Sequence, residues 1–162
     1  MRALAIGIGL ALVSTAAFAQ PAAGNKEYTS AAEITSMIAK AKSERKQDQP
    51  TFIQNILRLA PYSANLEYRA AVGPAAVHEK EAEMFYVIDG NGVLTTGGKL
   101  VKETRTNAEN LSGTGIEGGN AQKVSKGDFV IVPENTPHWF GTINSTLVLM
   151  SIHVPRPVPA AH

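Results

Sequence analysis

Two hydrophobic periodicities divide the chain. After Ser30, apolar residues recur every three or four positions, with Ile34, Met37, Ile38 and Ala41 on one stripe, which predicts a single amphipathic helix. Ser30 with Glu33 three residues on has the form of a capping box, in which each residue satisfies a backbone N–H of the other. The opposite face carries Lys40, Lys42 and Arg45 interrupted by Glu44, the pattern of a solvated surface rather than a binding patch. From Phe52 onward the period shortens. Segments rich in Val, Ile, Leu, Phe and Tyr, at residues 52–59, 65–71, 84–88, 92–96, 128–132 and 146–154, are separated by Gly, Asn, Asp and Pro, as expected of short antiparallel strands in a sandwich or barrel.

The punctuation carries further expectations. Asp89-Gly90-Asn91-Gly92 between two apolar runs predicts a hairpin loop, since Gly and Asn tolerate the positive φ of tight turns. The glycine-rich residues 112–120 predict a long excursion between strands, and the wider segment 106–126 is a candidate lid. Residues 113–118 match G-X-G-X-X-G, but no helix follows to receive a phosphate, so the dinucleotide reading is rejected.

Composition removes whole classes of function. Cys is absent, which excludes disulfides, thiolate nucleophiles and iron–sulfur clusters. Fifteen basic and 14 acidic side chains give a net charge of +1, too weak a field to imply a nucleic acid or membrane partner. The start of the chain reads as an address: Arg2, an uncharged run from Ala3 to Val13, and the small-X-small site Ala17-Phe18-Ala19. The expected organisation is a signal peptide at 1–19, a linker and helix at 20–50, a β-domain at 51–157 and a tail at 158–162, with the mature chain periplasmic or secreted.

Few residues are equipped for chemistry. The histidines are His78, His138, His153 and His162. His78 stands five residues before Glu83, which opens an apolar segment, and His138 follows a separate turn; these three meet only if the sheet closes on itself, as a small barrel would allow.

In this region the chain resembles the cupin superfamily. Glu83 to Gly90 fits the E-(X)6-G end of the first cupin motif, Gly127 to Pro133 fits the G-(X)5-P start of the second, and His138 falls at the second motif's metal-binding histidine. The resemblance implies an all-β fold, an antiparallel jelly-roll β-barrel behind one N-terminal helix, commonly a homodimer, with a metal inside. Departures are equally legible. Asn135 replaces the glycine of P-X-G, a mild change because Asn tolerates the left-handed region, and Thr142 stands where an asparagine would close the motif. Only one histidine of the first motif's pair is present. With His78 as the first, Lys80 takes the second position; with His78 as the second, Ala76 takes the first, and the spacing to Glu83 favours that register.

The resemblance thus implies His78, Glu83 and His138 as metal ligands, a two-histidine, one-carboxylate set that leaves open positions on a divalent transition metal: Fe, Mn, Zn, Ni or Cu. His153 is a further candidate ligand, its face undecided by the alternation of Leu147, Leu149 and Ser151. Lys80 and Tyr86 are candidate catalytic residues, as proton donor or substrate anchor. The expected activity is oxygenase, isomerase or lyase chemistry on a small organic substrate. The alternative is a metal-free module that binds a sugar or aromatic, with Lys80 neutralising Glu83.

Overall fold

A computed structural model of the chain describes residues 24–156. The signal segment at 1–19 and the tail at 158–162 lie outside the described residues. Helix α1 (Ala31–Glu44) begins at the expected box: Ser30 Oγ accepts from Glu33 N at 3.2 Å, and Glu33 Oε2 accepts from Ser30 N at 2.8 Å. Its stripe of Ile34, Met37, Ile38 and Ala41 packs on Ile56, Leu66, Tyr68 and Val148, so the helix covers the outer face of a sheet. Among the described residues no helix is long and apolar enough to cross a membrane.

Everything after the helix is antiparallel. Strands β1 (Thr51–Leu59) and β2 (Tyr62–Arg69) form a hairpin, followed by β3 (Ala75–His78) and the long β4 (Glu81–Thr96). Short strands β5 (Lys99–Val101), β6 (Thr104–Arg105), β7 (Asn110–Gly113), β8 (Gly115–Glu117), β9 (Asn120–Ser125) and β10 (Phe129–Val132) lead to the longest, β11 (His138–Pro155). One sheet path runs β1-β2-β11-β3-β7-β6; β4 pairs with β9, β10 and β11, and β5 with β8. The one-helix, antiparallel arrangement is that of a jelly roll. The inner core consists of Phe85, Val87, Leu94, Val124, Val132, Phe140, Leu147 and Leu149.

Two expectations fail here. There is no hairpin at Asp89–Gly92: β4 runs straight through, paired with β11 on either side of a bulge between Ile143 and Leu147. Gly90 holds φ +83, and a Cβ there would lie 2.0 Å from the Thr146 carbonyl oxygen. Its glycine is needed for close approach at a bulge, a requirement that looks like a turn in sequence. Nor are residues 106–126 a separate lid, because β7 pairs with β3, β8 with β5 and β9 with β4. The glycine-rich stretch is built of short paired strands.

Candidate metal centre

The site is assembled by register. His78 closes β3, Glu83 is the third residue of β4, and β11 starts with His138 and carries His153 near its far end. In the β4–β11 ladder His153 lies opposite Glu83, and in the β3–β11 bridge His138 lies opposite Ala76, two residues from His78 and therefore on the same face. The turn before His138 is locked to β3. Asn135 takes φ +55 and its N–H donates to the His78 carbonyl at 2.7 Å, so the residue that replaces the motif glycine adopts the left-handed conformation glycine would.

All three imidazoles reach the Glu83 carboxylate through Nε2. His78 and His138 approach Oε2 at 3.2 and 3.1 Å, and His153 approaches Oε1 at 3.4 Å. His78, Glu83 and His153 each offer a donor atom within 4.8 Å of the others and could together bind a metal ion, while His138 touches the same carboxylate. Glu83 and His138 are buried; His78 and His153 are partly so. His153 therefore belongs to the cluster, and the face that alternation left undecided is the inner one.

The opposite ring nitrogens reveal what the cluster is built for. His138 Nδ1 lies 3.1 Å from the Thr136 carbonyl oxygen, His153 Nδ1 lies 3.0 Å from Glu81 Oε2, and His78 Nδ1 lies 2.7 Å from Asn110 Oδ1. A carbonyl and a carboxylate only accept, so Nδ1 carries the proton in His138 and His153, and the amide oxygen of Asn110 imposes the same on His78. Each neutral ring then aims an Nε2 lone pair at a carboxylate that is itself only an acceptor. Four acceptors facing one another repel unless a cation lies among them, either added protons or a metal ion. The donor set fits a transition-metal dication: imidazole nitrogens with one carboxylate, each ring held by an outer hydrogen bond.

Without a metal, added protons are the alternative cation. Burial opposes the charged form of Glu83, but hydrogen bonds from His138 and His78, with the nearby imidazole charges, hold its carboxyl far below the usual range. Burial likewise depresses His78, yet the Glu83 contact and charge and the Asn110 hydrogen bond outweigh it, and the net shift is upward.

The cluster opens into a cavity of about 300 Å³. Beside His78, Glu83, His138 and His153 its wall includes Ala76, Ile53, and Asn65, Glu67 and Arg69 from one face of β2. Ala76 stands where the first motif's missing histidine would project, and His153 supplies an imidazole from the far end of β11, beyond the second motif's residues. Sequence reasoning missed Asn65, Glu67, Arg69, Glu81 and Asn110; the only signal was the strict alternation of β2, where Ala64, Leu66 and Tyr68 face the helix and the polar residues face inward.

The two catalytic candidates are not brought to the cluster. Lys80 lies in the turn between β3 and β4 and pairs with Glu109 at 2.9 Å, largely exposed, so it neither neutralises Glu83 nor enters the cavity. Tyr86 is on the opposite face of β4 from Glu83, exposed and against Phe129. Strand alternation accounts for Tyr86, whose odd offset from Glu83 along β4 sends its side chain outward, whereas Lys80 is held off by its turn and its pairing with Glu109.

A family model described as cupin matches residues 40–157. No curated protein matches the chain in sequence. Among solved structures it is similar to BH2720 from Bacillus halodurans, at 15% identity and TM-score 0.53 over 86% of this chain and 89% of that one. It is also similar to KdgF from Halomonas sp., at 16% identity and TM-score 0.51 over 70% and 86%. The Fe(II) form of HppE aligns at 14% identity and TM-score 0.50 over 65% of this chain and 51% of that protein. At these identities the likeness is one of fold.

Proposed function

The chain belongs to the cupin family, and on that premise we propose that it binds a divalent transition metal through His78, Glu83, His138 and His153 and acts on a small organic substrate in the adjoining cavity. The observation that carries this reading is the convergence of three Nε2 lone pairs on one buried carboxylate, each ring oriented by an acceptor behind it. Bound there, the ion would supply Lewis-acid or redox chemistry to a ligand in the cavity. The chain's own contribution is positional. Asn110, Thr136 and Glu81 fix the ring tautomers, while the buried Phe85 ring packs beside His138. The leader-like sequence at 1–19 supports export, and the mature protein is proposed to work outside the cytoplasm.

Elemental analysis of protein purified without a histidine tag tests the metal. About one transition metal per chain is expected, lost in His153→Ala as fully as in His138→Ala. A metal-free protein that also fails to take up added Mn(II), Fe(II) or Zn(II) would refute the reading.

A further inference from the structure

The same cavity holds a second charged group that metal binding leaves unused. Glu67 is 5% exposed, and Arg69, two residues on along the inward face of β2, donates to its Oε2 from Nε at 2.8 Å, with Nη2 in ion-pair contact at 2.6 Å from the same oxygen. The guanidinium also lies 4.7 Å over the Phe140 ring. One edge of the fork is thus held by a carboxylate and one face by an aromatic ring, a mounting that fixes an arginine in place. Among the described residues no hydrogen bond takes up the remaining terminal nitrogen, Nη1, although Arg69 lines the cavity wall beside the histidines.

Resting on the metal reading above, we propose that Arg69 Nη1 is an anion subsite that selects substrates bearing a carboxylate. The chemistry of Nη1 favours that choice: a cationic N–H without a protein acceptor pairs more strongly with a carboxylate than with the neutral hydroxyl of a sugar. Size narrows the class further, since about 300 Å³ is at the small end of ligand pockets, which run from ~300 to ~1,000 Å³. The ligand class is a small organic acid, its carboxylate on Arg69 and its remaining polar group toward the histidine cluster.

Matched acid and amide probes test the subsite on the full mature chain, with metal content measured on the same samples. Pyruvate and lactate should bind the Mn(II)-loaded protein at least tenfold more tightly than pyruvamide and lactamide. That preference should fall at least tenfold in Arg69→Lys, which keeps the charge but loses the fork, and vanish in Glu67→Gln/Arg69→Gln, which leaves no unpaired buried charge; both variants should keep their metal. Equal binding of acids and amides by the wild type, or an acid preference that survives in the double variant, would overturn the subsite. If the wild type takes up no metal, the titration is repeated on that protein: an acid preference lost in the double variant then upholds the subsite while the metal reading falls, and its absence removes both.

Discussion

The interior of the roll has two halves of opposite chemistry, and single strands pass from one to the other. Along β4 the inward row reads Glu83, Phe85, Val87; along β11 it reads Leu147, Leu149, Ser151, His153. One half is a dry core of Phe85, Val87, Leu94, Phe140, Leu147 and Leu149, and the other holds three imidazoles, two carboxylates and a guanidinium. Phe85 is the boundary, with its ring edge-on to Phe140 at 5.2 Å and 6.0 Å from His138. The dry half stabilises the fold through burial. The polar half must recover the cost of burying charge through pairing, and its geometry is held by the strands that the dry half anchors.

The comparison is broken most severely in the dry half. Phe85→Ala should cost about 3–5 kcal/mol in denaturant unfolding, because the ring is fully buried among close-packed neighbours. In the polar half, Glu83→Gln should abolish metal uptake. It should also remove the stabilisation that saturating metal gives the wild type, about 2.7 kcal/mol at a free metal concentration one hundred times Kd, read as a lost rise in melting temperature.

Acidity sharpens the contrast between halves. In the metal-free protein the raised His78 value means its contribution is complete below the ordinary 6.5 and is lost as pH rises through the higher folded value. The lowered Glu83 value means its contribution is complete above the ordinary 4.5 and is lost as pH falls toward the lower folded value. The metal-free melting temperature should therefore peak between pH 4.5 and 6.5 and fall toward pH 8. With metal the trend reverses, because the ion competes with protons for Nε2. Equal slopes with and without metal would separate these imidazoles from any ion.

Smaller effects are expected where the halves meet and at the rim. Ser151 is fully buried at the junction, and its Oγ has no hydrogen-bond partner among the described residues. Ser151→Ala should be neutral or stabilising by up to about 1 kcal/mol in unfolding experiments. Lys80→Ala, which removes only an exposed ion pair with Glu109, should change stability by less than about 1 kcal/mol and leave metal content intact.

The helix was legible because its cues are local: the Ser30–Glu33 box and the stripe from Ile34 to Ala41 need no partner to be recognised. His78, Glu83 and His138 were legible through motif spacing, and the structure brings all three to one place. What depends on pairing was not. Gly90 in a bulge and glycine in a hairpin turn look alike until the opposite strand is known. His153 joins the cluster through its register with Glu83, and polar residues alternating along β2 look the same whether they face water or a cavity. Lys80 and Tyr86 were placed by nearness in sequence, which the turn and the Glu109 pair override for Lys80 and strand alternation overrides for Tyr86.

X-ray absorption at the edge of the bound metal tests the central claim most directly. The account predicts an imidazole scattering pattern from three histidines with one carboxylate, reduced by one ring in His153→Ala or His138→Ala if metal is forced in at high concentration. A metal surrounded by light atoms without imidazole scattering, or one whose pattern neither substitution alters, would contradict it.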